Sequence, residues 1–295
     1  MSESRSTTSP ILADKHYDAP SAFKPESLLR EARRQKGLAN AVVPAVCVLD
    51  PDGDPVRRLT KEGRAVRDPA WACYHTEFHC FAEAGLELGI VGRAVGASFA
   101  VLVAEQLFAS GCRLLISMTS TGQLEPLRPP PYFILIDRAL RDEGTSYHYL
   151  APSEFSASSD VLPAVLRGAF DDLPVPVVQG ATWTTDAPFR ETAEAIGTMQ
   201  EKGLLPVEME AAALYGFATA RGRPVLCFAH VTNQLGRVDG DFEKGEADGT
   251  VDALRVIITA AKQLLEPIPA RHLAKPDQRR EETPRFRSID ADPAR

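Results

Sequence analysis

The sequence lacks the features typical of membrane, secreted and nucleic-acid-binding proteins. No apolar run in its 295 residues reaches the roughly 18 to 20 residues that span a bilayer. The N-terminal stretch MSESRSTTSPILADKHYDAP has no apolar centre of the kind found in signal peptides. The net charge of −7 includes no basic block outside the C-terminal tail, which argues against a nucleic-acid surface. We therefore expect a cytoplasmic protein that binds neither membranes nor nucleic acids.

Paired cysteines and metal-binding spacings are also missing. The five cysteines are odd in number, scattered, and show neither a CxxC pair nor zinc-type spacing. We interpret them as free buried thiols. His75 and His79 are four residues apart, as in a metal pair on a helix, but no third ligand accompanies them. We expect no metal site.

The order of apolar segments predicts an α/β fold. Strand-like and helix-like segments alternate between residues 41 and 266, which indicates a mostly parallel sheet covered on both faces. Residues 1–40 are predicted to form an N-terminal arm and a short helix, PESLLREARRQKG, with Pro25 near its start and Gly37 at its end. Residues 267–295, rich in Pro, Arg and Glu, are predicted to be a disordered tail.

Polar motifs follow the predicted strands and are expected to meet at one edge of the sheet. Ligands of such sheets gather at the carboxyl ends of the strands. The motifs GDPVR, TSTG, RDEGTSYHY, TWTTDAPFRET, VEME and VTNQ each fall just after a predicted strand. The glycine and arginine of GDPVR suit an anion, and TSTG offers hydroxyls and amides, although each is equally typical of an ordinary surface turn.

The motif VEME is the most informative because a structural explanation covers only part of it. The dipole of the following Ala-rich helix would stabilise one exposed glutamate by roughly 0.3 to 1 kcal/mol. Glu208 and Glu210 are two residues apart and point to different sides, so one of them should face the interior. A sugar diol could supply the hydrogen-bond donors that a buried carboxylate needs, and Met209 could form an apolar floor beneath the ring.

Two further motifs offer groups that could recognise a heterocyclic base. TWTTDAPFRET contains flat apolar side chains and polar groups, among them Trp183 and Arg190, although aromatic residues packed beneath a loop are about as common. Asn233, at the end of the last predicted strand, has an amide that can both donate to and accept from a base edge.

In this order, the motifs resemble the nucleoside phosphorylase family, which includes bacterial uridine phosphorylase, hexameric purine nucleoside phosphorylase and the methylthioadenosine nucleosidases. The resemblance covers residues 41–266 and is most specific at VEMEAAALY. It implies a single three-layer α/β/α domain with a mixed, largely parallel sheet and cleavage of a ribosyl–base bond. It also implies a homo-oligomer based on dimers, with the hexamer as the usual form in the family. The implied co-substrate is inorganic phosphate, and no metal or organic cofactor is implied.

The resemblance also implies roles for individual residues. Phosphate would be bound by Gly53, Arg57 and Ser120; ribose by Glu208, Met209, Glu210 and, across a subunit boundary, His16; and the base by Trp183, Arg190 and Asn233. Arg57, Glu210 and Asn233 are the residues expected to act in catalysis.

Two departures from the family pattern leave the reaction open. Ser117 stands where the phosphorylases usually have a second phosphate-binding arginine, for which Arg58 or Arg141 could substitute. Asn233 stands where adenine-specific members have an acidic proton donor, and an amide cannot protonate adenine N7. A uridine-like or 6-oxopurine nucleoside is therefore the expected substrate. The alternatives are an N-ribosyl hydrolase that uses water and a nucleoside-binding regulatory protein without activity.

Overall fold

The computed structural model of the chain describes residues 9–235 and 239–265. The strands are β1 (Val46–Asp50), β2 (Ala65–Arg67), β3 (His79–Glu83), β4 (Leu86–Gly92), β5 (Leu114–Gln123), β6 (Tyr132–Asp142), β7 (Phe155–Ala157), β8 (Val177–Thr185), β9 (Pro206–Glu208) and β10 (Val225–Asn233). The helices are α1 (Pro25–Lys36), α2 (Asp54–Lys61), α3 (Ala97–Ala109), α4 (Val161–Val165), α5 (Ala193–Glu201), α6 (Ala211–Arg221) and α7 (Thr250–Leu265). Two short 3₁₀ helices span Thr145–His148 and Pro188–Arg190.

All ten strands belong to one mixed sheet. Their order is β10-β6-β8-β9-β5-β1-β4-β3-β2, with β7 beside β6. β10 also pairs with β5, so five of the strands close into a ring. The pairs β1–β4, β1–β5 and β5–β10 are parallel, so the loops that follow these strands lie at one edge of the sheet. The predicted α/β fold with a mixed sheet is confirmed.

Helices cover both faces of the sheet and bury two apolar cores. One core contains the buried faces of α3 and α6, including Leu107 and Phe217. The other contains α2 and α7, including Leu59 and Ile257. Each fully buried side chain of this size contributes roughly 1.5 to 3 kcal/mol. The three layers follow from apolar strands with no polar face, which need helices on both sides.

Several segments differ from their predicted structure. The GDPVR turn continues as helix α2, because the Asp50 carboxylate accepts hydrogen bonds from the amides of Gly53 and Val56 and so caps the helix start. The predicted polar loop TSTG is the buried end of β5, where β-branched threonines pair with β10. The helix predicted over DVLPAVLRGAF covers Val161–Val165 alone. His79 lies on β3 and His75 precedes it, so the two do not share a helix.

The N-terminal region contacts the body of the chain at two places. Helix α1 begins at Pro25 and ends before Gly37, as predicted, and buries Leu29 beside Ala72. The preceding arm contacts the first 3₁₀ helix, where Lys15 Nζ lies 2.8 Å from His148 Nδ1. The predicted tail, residues 267–295, lies outside the described residues, and the three-part division of the chain stays a prediction.

The structure shows the state of the cysteines and the character of the described helices. All five cysteines are free; Cys80 is half-buried and the other four are buried, namely Cys47, Cys73, Cys112 and Cys227. No helix within residues 9–235 and 239–265 is both long and apolar enough to cross a bilayer.

Candidate active site

Segments at the ends of β1, β4, β5 and β9 meet at one edge of the sheet, where β1, β4 and β5 are parallel and β9 is antiparallel to β5. The segment after β1 contacts the end of β5 through a 2.6 Å hydrogen bond from the Ser120 amide to Asp52 Oδ2. The segment after β4 contacts the VEME motif through a 2.7 Å hydrogen bond from the Gly96 amide to Glu210 Oε1. The predicted convergence of these loops is therefore present.

The two glutamates of VEME have different surroundings. Glu208 Oε2 accepts hydrogen bonds of 2.7 Å from the amides of Glu210 and Ala211, at the start of α6. Its Oε1 accepts a hydrogen bond from the Thr184 hydroxyl, which in turn accepts one from the Ala212 amide. Glu208 therefore holds the helix start against β8, and both of its oxygens are occupied within the protein. A direct contact of Glu208 with ribose would require it to give up one of these partners.

Glu210 has one oxygen available. Its side chain is 2% exposed, and Oε1 is held by the Gly96 amide. Oε2 is buried and has no partner at hydrogen-bond distance among the described residues, and the nearby Thr119 hydroxyl is close enough to lower the pKa of the group slightly. Burial, followed by repulsion from Glu208, raises the pKa of Glu210 to about 8. A buried carboxyl with an unpaired oxygen is costly in free energy, which is typical of groups that meet a ligand. Met209, beside it, is half-buried.

The GDPVR segment forms a tight turn into α2. Gly53 has a φ of 79°, the left-handed conformation that favours glycine. A Cβ on Gly53 would lie 2.9 Å from Cγ of Arg93, so that side chain packs directly on the glycine. Burial raises the pKa of Asp50, which caps the turn, to about 7.

Arg57 is partly neutralised by acidic neighbours. Its guanidinium lies 2.7 Å from Asp54 and 3.3 Å from Asp248, and its side chain is 51% exposed. Lys244 forms an ion pair with the other oxygen of Asp54. The positive charge expected for phosphate is present, but it is shared with carboxylates.

Ser120 lies at the end of β5 with its amide and hydroxyl both engaged. The amide donates to Asp52, whose pKa is raised by burial, and Oγ lies 2.9 Å from Oγ1 of Thr232. Asp52 thus occupies the position next to the Ser120 amide where an oxyanion would be expected.

Arg58 and Arg141 do not replace the arginine missing at Ser117. The Arg141 guanidinium is buried and organises the loop after β6, where it donates hydrogen bonds to Ser146, Leu150, Ala151 and Ser153. Arg58 forms an ion pair with Glu62 at the end of α2. Ser117 is buried, and its Oγ has no hydrogen-bond partner among the described residues. The suggested substitutions are therefore wrong.

The predicted base-binding residues differ in exposure, because Trp183 and Asn233 are buried and Arg190 is exposed. Trp183 is buried in a small apolar cluster, and its Nε1 donates to Asp142 over 2.9 Å. Arg190 is exposed on the second 3₁₀ helix, beside the fully exposed Phe189. The Asn233 side-chain amide donates to Thr121 O and Thr232 Oγ1 and accepts from the Leu235 amide. Its contact with a base would require an exchange of one of these partners.

His16 is exposed on the N-terminal arm, which lies along the chain's own first 3₁₀ helix. Tyr17 in the same arm donates a 3.3 Å hydrogen bond to Tyr147 O. The role of His16 at a neighbouring subunit's sugar stays a prediction.

Sequence reasoning missed four residues of this region: Asp52, Arg93, Gly96 and His230. Asp52 directly precedes GDPVR and His230 directly precedes VTNQ, so the available signal was their position beside a motif at the end of a strand. His230 stacks on Phe133 with a centroid distance of 4.4 Å, and burial lowers its pKa to about 4, so its ring is neutral.

Within the described ranges, no cluster of three or more His, Cys, Asp or Glu residues could hold a metal.

The chain is similar to several nucleoside phosphorylases. A guanosine phosphorylase from Halorubrum lacusprofundi is 26% identical over 189 residues, covering 61% of this chain and 78% of the relative. A uridine phosphorylase from Thermococcus kodakarensis is 26% identical over 230 residues, covering 72% of this chain and 80% of the relative.

Solved structures agree on the fold. The crystal structure of uridine phosphorylase from Vibrio fischeri matches with a TM-score of 0.64 at 22% identity, covering 76% of this chain and 92% of that one. Purine nucleoside phosphorylase from Toxoplasma gondii matches with a TM-score of 0.62 at 17% identity, covering 75% and 90%.

The family model described as "Phosphorylase superfamily" matches residues 46–266. The resemblance deduced from the motifs, and the type of enzyme it implied, are confirmed at the level of the family. The chain belongs to the phosphorylase superfamily.

Proposed function

We propose that the protein is a nucleoside phosphorylase that cleaves the N-glycosidic bond of a uridine-like or 6-oxopurine nucleoside with inorganic phosphate. The products would be the free base and ribose 1-phosphate. The observation that most supports this proposal is the buried, unpartnered Oε2 of Glu210 at the edge where the loops after β1, β4 and β5 meet.

Glu210 would bind the ribose diol. The Gly96 amide fixes one carboxylate oxygen, which leaves the other to accept hydrogen bonds from adjacent sugar hydroxyls. Burial, followed by repulsion from Glu208, raises the pKa of Glu210 to about 8, so the group carries a proton at neutral pH. Two hydroxyl donors would favour the ionised form. The resulting negative charge would stabilise the cation that develops at the anomeric carbon.

Phosphate would be held by the Gly53 turn, Arg57 and Ser120. One phosphate oxygen forms a bond to the anomeric carbon as the bond from that carbon to the base nitrogen breaks, and the departing base takes up a proton from solvent. The protein's part in this step is mainly to hold the two reactants in line and to supply fixed charges.

Base recognition would fall to the region of Trp183, Arg190 and Asn233. The neutral amide of Asn233 supports a pyrimidine or 6-oxopurine base, because such a base needs hydrogen bonds rather than a strong proton donor as it leaves. The relatives named guanosine phosphorylase and uridine phosphorylase support the same range of bases. We further propose a cytoplasmic homo-oligomer in which His16 contacts a neighbouring subunit's site.

A second candidate is an N-ribosyl hydrolase, and one observation favours it. The Asp52 carboxylate occupies the position beside the Ser120 amide, and Ser117 replaces an arginine. A carboxylate in this place could accept a proton from an attacking water molecule, whereas a phosphate dianion would have to displace it.

The experiment that separates the candidates is a panel of uridine, inosine, guanosine and adenosine, each with and without phosphate, with products identified by chromatography. Phosphate-dependent release of ribose 1-phosphate supports the phosphorylase. Free ribose under both conditions would establish the hydrolase instead. Tight nucleoside binding without cleavage of any substrate would contradict both and favour a binding protein.

A further inference from the structure

Arg93 lies directly on the glycine turn of the candidate anion site. It follows β4 with a φ of 66°, an unusual conformation for a residue other than glycine. Its amide donates a 2.9 Å hydrogen bond to the carbonyl of Asp50, which fixes its backbone against the end of β1. Its Cγ lies 2.9 Å from the position that a Cβ on Gly53 would take.

Arg93 and Arg57 line the same cavity, which has a volume of about 540 Å³. Arg57 has two acidic partners, Asp54 and Asp248. Arg93 is exposed and has no acidic partner within 4.0 Å among the residues that the structure describes. Its charge is therefore less compensated than that of Arg57.

The segment that begins at Arg93 also reaches the other half of the site. Three residues further on, the Gly96 amide holds Glu210. One short segment thus connects the turn at Gly53 with the carboxyl group proposed to bind the sugar.

The local charge balance requires a further cation if phosphate is to bind. Asp52 and Asp54 flank Gly53 in the sequence, and the Asp50 carboxylate caps the turn. Ser117 is buried and contributes no charge. A phosphate dianion next to these carboxylates needs more positive charge than Arg57 and Lys244 supply, because both cations are already paired with Asp54. Arginine can bind such an anion with two parallel hydrogen bonds.

We propose that Arg93 is a phosphate-binding residue that supplies the second guanidinium of the anion site, in place of the arginine absent at Ser117. This inference rests on the proposed phosphorylase function. Arg93 packs its stem on Gly53, with Nε 3.4 Å from the position of a Cβ on that glycine, so its guanidinium lies close to the turn that would hold the anion.

The test compares Arg93→Met with Arg113→Met. Arg113 is also exposed, but it precedes β5 and lies at the opposite edge of the sheet, so this variant removes the same charge far from the site. We expect Arg93→Met to raise the KM for phosphate at least ~10-fold while kcat at saturating phosphate and the KM for nucleoside change less than ~3-fold. Arg93→Lys should recover part of the loss, and Arg113→Met should match the wild type.

Direct binding of inorganic phosphate, measured by titration calorimetry, gives a readout that does not depend on activity. An Arg93→Met variant that binds phosphate as tightly as the Arg113→Met variant would overturn the inference while leaving the proposed function intact. Wild-type protein that neither binds phosphate nor releases ribose 1-phosphate would overturn both. Circular dichroism of each variant checks that it is folded.

Discussion

The carboxylate of Asp52 accepts a 2.6 Å hydrogen bond from the amide of Ser120, the residue expected to bind phosphate. An acidic side chain of the protein therefore occupies the place of the incoming anion. Desolvation of the carboxylate raises the pKa of Asp52, although the residue as a whole is exposed. If phosphate binds at Ser120 as proposed, it competes with this carboxylate for the same donor, and Asp52 would weaken phosphate binding.

Replacing Asp52 by asparagine should strengthen phosphate binding. The amide keeps the size of the side chain and can still accept from Ser120, but the repulsion of the incoming dianion is removed. We expect the KM for phosphate to fall roughly 3- to 10-fold, the equivalent of about 1 kcal/mol. Initial rates against phosphate concentration at saturating nucleoside provide the measurement.

The matched control is Asp172→Asn, which removes one exposed acidic charge elsewhere on the surface. It should leave the KM for phosphate unchanged. If Asp52→Asn instead abolishes phosphate-independent release of ribose, the carboxylate acts on water and the hydrolase is the correct function.

The sequence predicted which motifs lie at strand ends, because strand ends can be recognised from local patterns. Apolar runs followed by GDPVR, TSTG and VEME placed these motifs at one edge. The hydrogen bond from Ser120 to Asp52 joins the first two, and that from Gly96 to Glu210 joins VEME to the segment after β4. The alternation of strands and helices was sufficient for the fold class, since it depends on periodicity alone.

The roles of the individual side chains could not be predicted in the same way. Sequence spacing indicated that one glutamate of VEME should face inward, but both are buried, and Glu208 is satisfied by the start of α6. The packing of Arg93 on Gly53 depends on the pairing of β4 with β1, which brings together residues forty positions apart. Such contacts depend on strand pairing, and a single sequence does not specify it.

The Glu210→Gln variant should be inactive but more stable than the wild type in alkaline solution. The pKa of Glu210 is raised to about 8, so the folded state keeps a proton that the unfolded state loses above its ordinary pKa of 4.5. The folded state therefore loses stability as pH rises from about 4.5 to about 8. Glutamine cannot ionise, so the variant does not lose this stability. Its free energy of unfolding should exceed that of the wild type by at least about 1 kcal/mol at pH 8.5.

Thermal denaturation at pH 6 and pH 8.5 checks this expectation, because the advantage of Glu210→Gln over the wild type should grow with pH. Glu201→Gln, at an exposed position at the end of α5, is the control and should show no such change. An advantage that is equal at both pH values would mean that Glu210 is ionised in the folded protein throughout this range.

Glu208→Ala should destabilise the protein strongly. The substitution leaves the amides of Glu210 and Ala211 and the hydroxyl of Thr184 without their acceptor in a buried place. Unsatisfied buried donors of this kind should lower the free energy of unfolding by roughly 2 to 4 kcal/mol. Urea denaturation measures the loss, and Glu201→Ala on the exposed surface serves as the control. A loss below about 0.5 kcal/mol, the range of ordinary surface substitutions, would contradict the role of Glu208 as a helix cap.

Gly53→Ala should impair phosphate binding beyond its effect on stability. Gly53 and Gly63 both have a positive φ, 79° and 69°, so alanine costs about 1 kcal/mol or more of backbone strain at either position. A Cβ at Gly63 meets no atom within 4 Å, whereas a Cβ at Gly53 would displace the stem of Arg93. The two variants should therefore lose similar stability, with a somewhat larger loss at Gly53, while the KM for phosphate rises at least ~5-fold in Gly53→Ala alone. Urea denaturation and phosphate kinetics of the two variants separate the effect of backbone strain from the effect of displacing Arg93. An equal KM for phosphate in both variants would show that the packing of Arg93 on this turn does not affect anion binding.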